Sequence, residues 1–214
     1  QGVLFGEELL PFKCMLGLAV RIKELSGELA REGYGKLGEM ARQFADFGDE
    51  VKAMSVVDED GRLYDSASVK LAEIRNELDV AKRQARSIGQ KIISDQSLSS
   101  KLQDQVIAMR NGRYVLLDYS SSGNSVYMEP HALVTMNNKI AMLLEDERRE
   151  ERRICQKLTE MLLSRERAIL KAQDLIGQID LMWGIYYFLQ ANDWTLPEME
   201  EKSSFYLNNA HHPL

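Results

Sequence analysis

The sequence predicts a mainly α chain with a small β unit: a long antiparallel helix pair of coiled-coil character, short strands at its tip and helical packing at its base. Three observations carry this expectation. Leu71, Ile74, Leu78, Ala81, Ala85, Ile88 and Ile92 recur at alternating spacings of three and four, a heptad seam. A second long helical pattern, from about residue 131 to 171, offers that seam a partner. Between them, three strand-like runs are divided by turn-forming residues.

The elements follow in chain order. From Phe5 to about Ala45, Leu16, Ala19 or Val20 and the Leu25–Leu29 region suggest one amphipathic helix and Leu37–Phe47 another, with Gly33 and Gly35 as punctuation. Val56-Val57-Asp58-Glu59-Asp60-Gly61-Arg62-Leu63 resembles a small hairpin with an acidic turn. Its spacing lacks the Asp-x-Asp-x-Asp-Gly order and distal Glu of a calcium loop, so it reads as a plain turn. Asp65 and Ser66 are candidate caps for a helix from about Ser68 to Ser94, roughly 40 Å long at 1.5 Å per residue. Small Ala81 and Ala85 allow a partner helix to approach closely. The strands are expected at Val106–Met109, Arg113–Leu117 and Ser125–Met128, with Asn111-Gly112 and Ser120–Asn124 as turns.

In the second long helix, Leu133, Met136, Ile140, Leu144, Ile154, Leu158, Met161 and Ala168 lie along one side. Residues 145–153 are nine consecutive charges, in which Glu145 can pair with Arg149 and Glu150 with Arg153. This stretch is expected to be solvated and to stand away from the globular body. The run from Leu175 to Leu189, with Trp183, Tyr186, Tyr187 and Phe188, is expected to be buried helix at the base, and Pro197 to mark its departure.

Composition narrows the function classes. With 44% hydrophobic residues in 214, the chain can bury real cores. Its 33 acidic and 27 basic residues give a net charge of -6, so contact with nucleic acid would have to come from a local patch. The Leu181–Leu189 stretch is far shorter than the roughly 20 residues that span a bilayer, and no membrane partner is expected. Cys14 and Cys155 are far apart and lack metal-ligand spacing, which fits a reducing, cytoplasmic setting. Both ends of the sequence read as ordered segments, so an excised piece of something longer is expected.

The chemistry for catalysis is not visible. Gly35-Lys36 fails as a phosphate-binding loop, because Leu37 follows the lysine and Ala30 stands where the first glycine is required. His131, His211 and His212 have no third ligand at a suitable spacing, and no metal is expected. Ser120, Ser121 and Ser122 sit in a turn that Gly123 explains, and their functional reading is contact with phosphate through hydroxyls and backbone N–H groups. The local cations are Lys101, Arg110 and Arg113, balanced by Asp104, Asp118 and Glu129. These six residues, Lys101, Arg110, Arg113 and the three serines, are the candidate DNA-binding set.

Asp118-Tyr119-Ser120-Ser121-Ser122-Gly123-Asn124-Ser125-Val126-Tyr127-Met128-Glu129-Pro130 resembles the D-x-S-x-S-G…E-P segment of MutS-family proteins, continued by Ala132-Leu133-Val134 and Asn137-Asn138. Asp60-Gly61, Asp65-Ser66-Ala67-Ser68, Leu71 to Arg75 and Arg110-Asn111-Gly112-Arg113-Tyr114-Val115 recur in that order in the MutS-II branch, which lacks the mismatch-recognition domain. Ala210-His211-His212-Pro213-Leu214 resembles the start of the family's ATPase domain, with His211 where Arg is usual. The resemblance covers roughly residues 55 to 214.

It implies core helices and a hairpin at 1–64, an ascending lever helix at 65–103, a β clamp at 104–130, a descending lever helix at 131–172, core helices at 173–205, and the start of an ATPase domain at 206–214. The fragment itself would be non-catalytic and hold no cofactor. The parent would be an ATPase using ATP and magnesium with a nuclease-type Smr domain, a homodimer binding branched or double-stranded DNA in repair or suppression of recombination. It would be cytoplasmic in bacteria or organellar in plants. Alternatives are a structural dimerisation module and a ribosome-associating region of a rescue protein. The family carries a further strand before the Asp-x-Ser turn, whereas Leu116-Leu117 here runs straight into Asp118, so the clamp is expected to be shortened or incompletely represented.

Overall fold

The computed structural model describes residues 2–94, 106–119, 125–197 and 206. Its elements are α1 (Leu10–Arg31), α2 (Gly35–Arg42), α3 (Gly48–Met54), α4 (Val69–Ser94), β1 (Val106–Arg110), β2 (Arg113–Tyr119), β3 (Ser125–Met128), α5 (His131–Ser164) and α6 (Glu166–Asn192). A mainly α chain with a small antiparallel sheet is thus what forms. Between α3 and α4, the predicted hairpin is a tight turn with a single Val57–Leu63 bridge. Asp58 Oδ1 accepts from the backbone N–H groups of Asp60 and Arg62 at 2.9 and 2.7 Å, which explains its acidic character without a metal.

The heptad seam closes against α5. Leu78, Ala81 and Ala85 are buried with Leu133, Ile140 and Leu143, while Ile88 and Ile92 pack partly buried beside them. Leu71, at the start of α4, belongs instead to the base core with Ile154, Cys155 and Leu158 from late in α5. The two helices are therefore antiparallel. The 26 residues of α4 give a length of about 39 Å. The base core adds Leu16 and Ala19 of α1, Phe44, Phe47, Met54 and the first half of α6.

Near the tip end of the seam, Gly89 is buried where Ile107 of β1 meets α4. A Cβ there would lie 2.8 Å from Ile107 Cδ1, so glycine gives the sheet room to seat on the helix.

Four expectations need correction. The cap of α4 is Ser68 rather than Asp65 or Ser66: its Oγ accepts from Leu71 N–H at 2.9 Å. Asp65 is drawn away to Arg75 at 2.6 Å. Second, the charge run does not stand clear of the body. Arg75 of α4 reaches Glu147 and Glu151 at 2.8 and 2.9 Å, and Glu150, only 2% exposed, accepts from the Ser68 hydroxyl at 2.8 Å. The pairs expected within the helix also form, Arg149–Glu145 at 3.2 Å and Arg153–Glu150 at 2.5 Å. The buried carboxylate is tolerated because both of its oxygens accept, Oε1 from the Ser68 hydroxyl and Arg153 Nη2 and Oε2 from Arg153 Nε, with the Lys70 ammonium 3.7 Å away.

Third, the helix expected to continue to residue 171 stops at Ser164, and α6 begins at Glu166. Arg165 turns the chain there: its Nη2 donates to the Asp46 carbonyl at 2.7 Å, Nε lies 2.9 Å from Glu50 Oε1, and the guanidinium lies 5.5 Å from the Phe47 ring centroid. Fourth, the run from Leu175 to Leu189 is helix, but only its start is buried. Trp183 is 60% exposed and Tyr187 61%. The helix leaves the base core after Ile179, the last of its residues packed against it.

Two outcomes test this packing. Ala81→Leu should destabilise the fold by about 1–3 kcal/mol in chemical denaturation, because the fully buried seam has no space for the added atoms. Hydrogen bonding from Arg153, aided by Ser68 and Lys70, outweighs desolvation and holds the Glu150 carboxyl at about 2 instead of 4.5. Its folded-state value being depressed, the stability it contributes is complete above pH 4.5 and is lost as pH falls toward 2. Glu150→Gln should flatten the decline in melting temperature across that window; an unaltered decline would remove Glu150 as its source.

Candidate nucleic-acid interface

The tip sheet has the order β1-β2-β3, antiparallel throughout. Asn111 and Gly112 join β1 to β2 with φ of +51° and +76°, the left-handed pair that a two-residue hairpin with the right twist demands. In register, Val106 faces Leu117 and Leu117 faces Tyr127, while Arg110 faces Arg113. Alternation puts Val106, Ala108, Arg110, Leu117 and Tyr127 on one face and Ile107, Tyr114 and Leu116 on the other. Tyr114 and Ile107 pack into the seam. Val106, Arg110 and Tyr127 are exposed.

The β2–β3 ladder runs to Leu116 opposite Met128, and continuing it would set Pro130 opposite Tyr114. Proline has no N–H to offer a ladder. Asn137, wholly buried on α5, takes the vacant place: its Oδ1 accepts from Tyr114 N–H at 2.9 Å and its Nδ2 donates to Tyr114 O at 2.8 Å. The second Nδ2 proton goes to Glu129 Oε1 at 2.7 Å. Arg113 closes the group, with Nη2 at 2.6 Å from Glu129 Oε1 and 3.1 Å from Asn138 Oδ1. The Arg113 guanidinium, with help from the Asn137 amide, holds the Glu129 carboxyl below the usual carboxylate range.

The candidate residues thus divide. Arg113 is committed to the joint between sheet and helix. Arg110 is exposed, with its guanidinium carbon 4.2 Å from the Tyr127 ring centroid, so the ring holds one face of the group and leaves its N–H edge toward solvent. Lys101, Ser120, Ser121 and Ser122 lie outside the described residues. Sequence reasoning missed Tyr127 and gave Asn137 no role. The signal for the latter was present: 133, 137, 140 and 144 are spaced four, three and four, which places an asparagine in the seam.

Among the described residues, no three His, Cys, Asp or Glu side chains are grouped to hold a metal ion, and no helix is long and apolar enough to cross a membrane. Cys155 is buried, and desolvation raises its thiol. The depressions in the surface are open and shallow, one of them running along α5 past Thr135, Lys139 and Met142.

No protein-family model matches the chain. Curated relatives do: Endonuclease MutS2 of Lactococcus lactis subsp. lactis is 32% identical over 228 residues, covering 100% of this chain and 29% of the relative. The protein of the same name from Streptococcus sanguinis is 31% identical over 222 residues, covering 97% and 28%. The chain belongs to the MutS-II family.

This MutS-II chain spans less than a third of the length of the relatives it matches. The Lactococcus alignment extends over 228 positions against 214 residues here, so the relative carries residues without counterpart in this one. The Arg-Asn-Gly-Arg-Tyr-Val, Glu-Pro and Asn-Asn stretches that carried the resemblance meet in space, where Arg113, the Tyr114 backbone, Glu129, Asn137 and Asn138 bind one another.

Asn137→Ala strips both backbone groups of Tyr114 of their partner, and each buried group left unsatisfied costs about 1–3 kcal/mol. The variant should lose amide-exchange protection first in β2, while α1 to α3 keep theirs. Equal loss across the whole chain would show that the joint is not local to the tip.

Proposed function

We propose that this chain is the lever and clamp region of a DNA-binding MutS-II protein, and that it acts by contact and leverage without catalysing a reaction itself. The sheet at the tip touches the phosphate backbone of branched or duplex DNA. The α4–α5 pair links that contact to the base, and through it to an ATPase that uses ATP and magnesium elsewhere in a homodimeric parent. The name endonuclease borne by the relatives fits a parent with a nuclease-type Smr domain, serving repair or suppression of recombination in the cytoplasm. The observation that carries this reading is the outward face of the sheet, where Arg110 is exposed and braced on Tyr127.

Arginine suits that task, since its planar fork meets phosphate oxygens in pairs and its other face can rest on an aromatic ring. Tyr127 itself is 42% exposed and offers a stacking surface to an unpaired base at a junction. With a net charge of -6 on the chain, the interaction is local and weak, a touch on the backbone and not a reading of sequence.

Fluorescence anisotropy with a four-way junction and a matched duplex, across a salt series, tests the proposal. Binding should fall as salt rises, and Arg110→Ala should weaken it for both ligands while reducing the slope of log K against log salt by about 1. Arg113→Ala should chiefly lower the melting temperature of the tip. Absence of binding at low salt would favour a structural module, with DNA or ribosome affinity residing in other parts of the protein.

A further inference from the structure

The charges of the two long helices are sorted along their length. No carboxylate occurs between Asp79 and Asp95, and none between Glu129 and Glu145. Because α4 and α5 run antiparallel, with Leu78, Ala81 and Ala85 of one packed among Leu133, Ile140 and Leu143 of the other, these two stretches lie side by side next to the sheet. Each is about 20 Å long at 1.5 Å per residue. In a chain of net charge -6, that sorting leaves the upper part of the helix pair cationic.

The cations of α4 behave differently in its two halves. In the lower half Arg75 is engaged by Asp65, Glu147 and Glu151, and Lys70 lies 3.7 Å from Glu150. In the upper half, Lys82, Arg83 and Arg86 form no ion pair among the described residues. Asp79, one turn below Arg83, meets it only through its backbone carbonyl, 3.3 Å from Nε. Arg83 and Arg86 are exposed and Lys82 is half-buried. Like charges one turn apart oppose helix formation, so the cluster works against the element that carries it.

Arg86 fixes where the cluster faces. Its guanidinium carbon lies 5.9 Å from the centroid of the Tyr114 ring, so it stands on the side of α4 that bears the sheet. With successive residues turning by about 100°, Lys82 lies about 40° to one side of Arg86 and Arg83 about 60° to the other. Tyr114 is opposite Met109, the neighbour of Arg110 in β1. Arg86 is therefore beside the hairpin end of the sheet, the end that carries Arg110, and Lys82 and Arg83 lie one turn nearer the base.

We propose that Lys82, Arg83 and Arg86 are a second phosphate-binding surface, which continues the Arg110 contact and lays a nucleic-acid duplex along the flank of α4 instead of across the far end of the sheet. The inference rests on the DNA-binding reading given above. A duplex fits because its phosphates present charge at regular intervals along an edge, and a straight helix carrying Lys82 and Arg86 about 6 Å apart along its axis matches that form. Lys82 supplies a flexible point charge, while Arg86, with one face toward Tyr114, keeps its N–H edge for phosphate oxygens.

The test is fluorescence anisotropy of the 214-residue chain with a matched duplex across a salt series. Lys82→Gln/Arg83→Gln leaves Arg86 and its ring contact in place and should keep the melting temperature. It should weaken duplex binding several-fold and lower the slope of log K against log salt by about 2, in addition to the loss caused by Arg110→Ala. Lys82→Arg/Arg83→Lys, which keeps both charges, should bind as the unaltered chain does, and an equal loss there would overturn the inference. So would unchanged affinity and slope in the glutamine variant while Arg110→Ala still weakens binding, an outcome that leaves the DNA-binding reading standing. Absence of duplex binding by the unaltered chain at low salt would overturn both. Poly-glutamate bound as tightly as the duplex would overturn the inference too, the flank then being a surface for acidic protein.

Discussion

A small sheet set on the end of two helices must satisfy its backbone where the ladder runs out, and in this protein one asparagine meets that requirement. Tyr114 sits where β3 has already departed and where Pro130 could not have served, yet its N–H and C=O are buried. By offering one acceptor and one donor on a planar amide, Asn137 imitates a strand partner from within a helix. No other uncharged side chain except glutamine carries both groups in that plane. The orientation of the sheet on α4 and α5, and so the direction in which Arg110 faces, follows from this contact.

Much of the fold was legible because the physical signals are periodic. The seam from Leu71 to Ile92 has one geometric meaning, and Asn111-Gly112 between two strand-like runs has hardly more. What sequence misread shares a single cause, namely that periodicity describes an element but not its neighbours. The nine charges of residues 145–153 look solvated by any local rule, yet Arg75, some seventy residues away in sequence, sits among them on Glu147 and Glu151, and Glu150 is buried against Ser68. Conversely Trp183 and Tyr187 look like core by composition and yet are more than half exposed, because composition does not say which face of an element meets the rest of the fold. At the tip, Arg110 and Arg113 are alike as letters. Only the structure separates the one braced on an aromatic ring from the one locked to Glu129.

The base shows the same economy in a different form. Arg165 interrupts what would otherwise be one helix through α5 and α6, and the contacts that hold the interruption all come from the segment around Phe47 and Glu50. Leu4 N–H, at the other end of the chain, is held at 3.0 Å by Thr159 Oγ1 of α5. The foot of α5 is thereby gripped from both sides by polar contacts over a core of aliphatic and aromatic side chains.

Between that foot and the tip, the two long helices touch almost wholly through hydrocarbon. Among the described residues, the side-chain hydrogen bonds joining them lie at or below Arg75. Close-packed side chains of this kind resist rotation of one helix against the other as well as separation, and Asn137 fastens the sheet to α5, so the helix pair and its sheet form one stiff unit with no hinge between seam and tip.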